Sequence, residues 1–229
     1  DIYNHYAAYL KMLDYLKEHP EGYLDEEIIK DIHEVLVKGV IEGGVYRNVN
    51  ISIKGSKYVP CDPVKVYHRM DKYIAQLNEM ENNLDKVVYA HLQLSKIHPF
   101  LDGNGRLCRL ILNYMLISEG YLPISIPAKR RNEYFATLEA FKVDKTSVPF
   151  ANLLNDLLNK YFVIKNNIQE SVYNIAERIY MRGLNSSDAC LLIHEIDSML
   201  ENVDKLSNFN KINNLQMLFL DMVDILSLD

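Results

Sequence analysis

The stretch from Asp85 to Ser118 constrains the fold more than any other part of the chain. Val87, Val88, His91, Leu94 and Ile97 recur at helical spacing and share a face. Pro99 disfavours the α conformation at His98, so this helix is expected to end there. Gly103 and Gly105 follow within a few residues, and an apolar helical pattern resumes from about Gly105 to Ser118, where Gly120 stops it. A Gly-rich loop is thus held between two apolar helices.

The rest of the chain fits around that unit. Ile2 to Glu18 reads as a helix, with Tyr6, Tyr9, Leu10, Leu13 and Leu16 at helical spacing, broken at His19-Pro20-Glu21-Gly22. A second helix starts at Asp25, carries Ile28, Ile29, Ile32, Val35 and Leu36, and ends at Gly39. Val49, Ile51 and Ile53 alternate with polar residues before the turn pair Gly55-Ser56, so Tyr46 to Val59 is expected to be a short hairpin, closed by Pro60 and Pro63. Helical pattern returns over Val64 to Met80, Tyr134 to Phe141 and Pro149 to Phe162. From Asn166 to Asp229 it continues as an Asn-rich, acidic helical extension, with a boundary near Lys165. The expected class is all-α with one hairpin, as a domain over 1–165 and an extension over 166–229.

Composition removes several functions. Hydrophobic residues make up 48% of the 229, enough to bury a core, and the net charge of −6 offers no basic face for nucleic acid. No run is long enough for a membrane-spanning helix. Cys61, Cys108 and Cys190 match no zinc spacing, and a sparse, odd set suits a reducing compartment such as cytoplasm, the cell's own or another's. The first residues, Asp1-Ile2-Tyr3-Asn4, do not read as a signal peptide.

The chemistry lies in His98-Pro99-Phe100-Leu101-Asp102-Gly103-Asn104-Gly105-Arg106-Leu107-Cys108-Arg109. The glycines around Asn104 allow positive φ and close approach to a ligand. The N–H groups opening the next helix form an anion site. Arg106 and Arg109, three apart, lie on one side of its first turns and suit phosphates. Asp102 is an oxygen ligand of the kind Mg²⁺ takes together with substrate phosphates. Singly, each of these is an ordinary helix end, turn, cap or surface charge. Together within one short loop they specify phosphate-ester chemistry.

These residues resemble the Fic motif, His-Pro-Phe-x-Asp/Glu-Gly-Asn-Gly-Arg-x-x-Arg, at every fixed position. The resemblance spreads over roughly residues 1 to 162, through Gly44-Val45-Tyr46-Arg47, the hairpin called the flap (Ile51 to Pro63), Gly120-Tyr121-Leu122-Pro123 and Tyr134-Phe135. It implies a Fic-type helical domain that transfers AMP from ATP to a protein hydroxyl. His98 would be the general base and Asp102 the Mg²⁺ ligand. Gly103, Asn104 and Gly105 would supply the anion hole, with Asn104 steering the α-phosphate. Arg106 would contact the β/γ-phosphates, and Arg109 the γ-phosphate or an inhibitory Glu. Tyr134 matches an aromatic near adenine. Ser56 to Pro60 of the flap would dock an extended segment of the target by strand addition. Lys142 stands where relatives often carry an adenine-binding Asn. The resemblance also implies homodimers.

Gly105 stands where a kinase branch of the family has Lys, and Gly103 where a phosphocholine-transferring branch has Ala, so AMP transfer leads. The alternatives are removal of AMP by the same loop, and a nucleotide-binding adaptor without catalysis. The family's inhibitory pattern, Ser/Thr-x-x-x-Glu-Gly/Asn, is nearest approached at Asp197 to Asn202, where Glu201 reads better as a solvated residue. An inhibitory helix is therefore expected upstream of Asp1.

Overall fold

The computed structural model describes residues 2–159, and the account below concerns the compact unit Asp1–Leu157. The expected boundary near Lys165, the extension over 166–229, Cys190 and Glu201 lie outside the described residues.

Helices α1 (Ile2–Glu18), α2 (Glu26–Val37), α3 (Val66–Glu79), α4 (Leu84–Ile97), α5 (Asn104–Ser118) and α6 (Arg131–Glu139) are followed by a π turn over Ala140–Asp144 and a last helix, α7, over 148–159. Local chemistry explains the starts. Asp25 caps α2 by accepting from Ile28 N at 2.8 Å, and Asn83 caps α4 by accepting from Asp85 N at 2.8 Å and Lys86 N at 3.2 Å. Helix α5 buries residues round most of its circumference, from Leu107 and Cys108 through Leu110, Ile111 and Leu112 to Ile117, leaving the side of Gly105, Arg106, Arg109 and Asn113 open. A helix apolar on most sides belongs at the centre. Accordingly α4, α1 and α2 all pack on α5, while α3 covers α4.

Two expectations need correction. Helix α1 turns Ala8, Met12, Leu13 and Leu16 inward and leaves Tyr6 and Leu10 exposed.

The hairpin is the second. Ser56 N donates to Ile53 O at 3.0 Å, which closes the turn, but no β-ladder forms among the described residues. Its hydrogen-bonding groups have found stronger partners. Lys57 N donates to the Glu139 carboxylate at 2.8 Å, and Arg47, 3% exposed, donates to Val49 O at 3.1 Å and Cys61 O at 2.6 Å. An isolated two-stranded ladder is marginal, and charge-assisted bonds of this kind outweigh it.

Candidate active site

Helix α4 ends where Pro99 requires. His98 N donates to Leu94 O, and His98 itself adopts the left-handed conformation, φ 52° and ψ 62°. That costs a non-glycine residue about 1–2 kcal/mol, and the surroundings hold it there. Arg47 Nε donates to His98 O at 2.9 Å, and Arg47 N donates to Pro99 O at 2.8 Å. One buried guanidinium therefore ties the His98 turn to both arms of the flap loop.

The His98 ring is fixed as well. Its Nδ1 lies 3.3 Å from Ser95 O. A carbonyl only accepts, so Nδ1 carries the proton and Nε2 presents a lone pair. Burial pushes the imidazole down to about 4, helped by the positive charges of Lys142 and Arg47 and opposed by the Ser95 carbonyl. At neutral pH it is a neutral acceptor. That is the form a general base needs.

The following loop is held by three devices. The Asn104 amide closes it, accepting from Phe100 N at 3.0 Å and donating to Phe100 O at 2.8 Å. Fully buried His33 on α2 accepts from Gly44 N at 3.1 Å and so donates through Nε2 to Asp102 O, 2.9 Å away, while its ring stacks on Phe100. Gly103 caps α5 with φ 78°, and a Cβ there would lie 2.7 Å from Val37 Cγ1 and 3.2 Å from His33 Nε2. The predicted residues thus meet at one place, with two adjustments. The Asn104 side chain holds the loop, with one of its two Nδ2–H donors and its Oδ1 engaged by Phe100. Gly105 has no positive φ; it is an exposed residue of the first helical turn. Its missing Cβ keeps the helix N-terminus open, with Arg109 Nη1 just 3.6 Å from where that atom would be.

Arg109 therefore reaches back along α5 toward the loop, and the burial-lowered pKa of His5 on α1 reflects both Arg109 and Arg106. Asp102 is largely exposed; one oxygen accepts from Gly103 N at 2.6 Å and the other lies 3.7 Å from Arg106 Nη2. A single outward carboxylate fits Mg²⁺ that takes its remaining ligands from phosphates and water. Among the described residues no group of three or more His, Cys, Asp or Glu is arranged to hold a metal unaided.

Tyr134 departs from expectation. Its ring is 4% exposed, packed between His91, Phe135 and Phe150, and its hydroxyl lies 3.0 Å from His91 Nε2. It is a core residue rather than a surface for a nucleobase. Lys142, 7% exposed on the π turn, is close enough for its charge to act on His98 and His91. Sequence reasoning missed His33, His5 and Glu139 altogether; their partners lie at sequence distances that no local spacing connects.

Residues 23–116 match the model of the Fic/DOC family. Over these residues the chain is similar to Fic domains. It is 36% identical over 124 residues to a protein adenylyltransferase Fic of Drosophila grimshawi, covering 52% of this chain and 25% of that one. With protein adenylyltransferase fic-1 of Caenorhabditis elegans the identity is 30% over 128 residues, covering 53% and 24%. The chain thus spans about a quarter of the length of these curated relatives. Its fold is similar to that of Fic-1 (residues 134–508) of C. elegans, with a TM-score of 0.62 at 22% identity, covering 72% of this chain and 51% of that one. A Fic-domain signalling protein of Bacteroides thetaiotaomicron is also similar, with a TM-score of 0.55 at 23% identity and 68% of each chain covered.

Proposed function

We propose that this domain transfers AMP from ATP to a hydroxyl side chain of a protein target. The observation that carries this reading is the fixed tautomer of His98. With Nδ1 turned to Ser95 O, Nε2 keeps a lone pair, and the loop that follows His98 leads into a helix N-terminus whose first turns carry Arg106 and Arg109. The adenylyltransferase names of the curated relatives agree with it.

The step balances simply. The target hydroxyl passes its proton to His98 Nε2 while its oxygen bonds to the α-phosphorus. The bond from that phosphorus to the bridging oxygen breaks, and pyrophosphate leaves. The N–H groups opening α5 stabilise charge on the α-phosphate, while Arg106 and Arg109 hold the departing phosphates. Mg²⁺, held by Asp102, would neutralise phosphate charge. An extended target segment would lie along Ser56 to Pro60, which no strand covers among the described residues.

Parallel incubation with α-labelled and γ-labelled ATP tests the reading, followed by intact-mass measurement. Label from the α position with an AMP-sized addition is expected. Transfer of the γ label with a phosphate-sized addition would refute it.

A further inference from the structure

Behind the loop lies a buried polar chain that the reaction above does not use. His91 on α4 is fully buried; its Nδ1 is 2.9 Å from Cys108 O and its Nε2 is 3.0 Å from the Tyr134 hydroxyl. Phe150 of α7 stacks on the ring at 4.7 Å and 7°, closing it from water. The directions follow from the donors. The Cys108 carbonyl only accepts, so His91 Nδ1 carries the proton and Nε2 must accept from the Tyr134 O–H. The Tyr134 oxygen keeps lone pairs, and the Arg109 guanidinium, which has only donors, lies close enough for its charge to act on that hydroxyl. The chain runs from Arg109 through Tyr134 to His91 and returns to Cys108, the residue preceding Arg109. It can exist only while His91 is neutral; burial pushes that imidazole down to about 4.

We infer that Tyr134 and His91 are positioning residues for Arg109: a hydroxyl from α6, oriented by an imidazole from α4, holds the guanidinium over Gly105, where the terminal phosphate of a nucleoside triphosphate would lie. Arginine otherwise has many rotamers, and a guanidinium left to sample them binds phosphate less well. The site thereby counts phosphates through a residue that touches no ligand. This inference rests on the reading that the site binds a nucleoside triphosphate.

The test is binding of ATP, ADP and AMP to wild type and to Tyr134→Phe, which keeps the ring and removes the hydroxyl. The expected result is ATP affinity lower by about tenfold, the scale of one charge-assisted hydrogen bond, with AMP affinity unchanged. Equal losses for all three nucleotides, or none for ATP, would overturn the inference while leaving the proposed function standing. Wild type that binds none of the three would overturn that function and this inference with it. An independent measurement on ligand-free wild type covers a poorly folded variant. At least one Arg109 guanidinium N–H should give a resolved nitrogen–proton correlation with slow solvent exchange, and fast exchange at all of them would refute the tether.

Discussion

The two loop glycines should respond to alanine in opposite ways. At Gly103 a methyl meets Val37 Cγ1 at 2.7 Å and His33 Nε2 at 3.2 Å, and the φ of 78° is one that alanine resists. The left-handed conformation costs about 1–2 kcal/mol. Overpacking against α2 adds about 1–3 kcal/mol, since neither the β-branched Val37 nor the doubly hydrogen-bonded His33 has an easy alternative position. Gly103→Ala should therefore destabilise the domain by about 2–5 kcal/mol. Gly105 has a helical backbone, an exposed position and only Arg109 Nη1 within reach, at 3.6 Å. Gly105→Ala should be neutral or stabilising by up to about 1 kcal/mol, because glycine inside a helix is conformationally costly. Its methyl nevertheless projects over the helix N-terminus, where the phosphates would lie, so nucleotide transfer should fall by at least about tenfold. Urea unfolding gives the two stabilities, and labelling from α-labelled ATP gives the activities. A stable Gly103→Ala variant, or a fully active Gly105→Ala variant, would refute this assignment of roles.

His98→Ala should abolish labelling, with a loss of about 10²-fold or more, while leaving the thermal midpoint near wild type; persistent labelling would show that another base serves. Glu139→Gln weakens the hold on Ser56 and Lys57, so the KM for a protein target should rise several-fold with the affinity for ATP unchanged, which steady-state kinetics can separate. Stability should decline as pH falls from about 6.5 toward 4. His91 and His98 stay neutral in the fold down to about 4, whereas the unfolded chain takes up those protons near 6.5. Their contribution is thus complete above the unfolded value and is lost at up to about 1.4 kcal/mol per pH unit for buried His91, as urea titrations at several pH values will show. Excess chelator should stop transfer if Asp102 holds Mg²⁺, and unchanged turnover would assign that carboxylate another task.

Much of the architecture can be read along the chain because its causes are local. Pro99 forces α4 to stop at Ile97, Asp25 caps α2, and the apolar positions of α5 mark a buried helix; each needs only a few neighbouring residues. The loop from His98 to Arg109 was legible for the same reason. All its chemical groups lie within a few turns of backbone. What the sequence left open was every partner supplied from elsewhere. Arg47 reaches His98 across 51 positions, His33 reaches Asp102 across 69, and Glu139 takes the flap-loop groups that a hairpin ladder would have used. Tyr134 looked like a ligand contact by resemblance, yet burial gave its hydroxyl a partner in His91, and Asn104 turned part of its amide to holding the loop. A buried polar group must be satisfied by whatever the packing brings near it, and only the tertiary fold decides what that is.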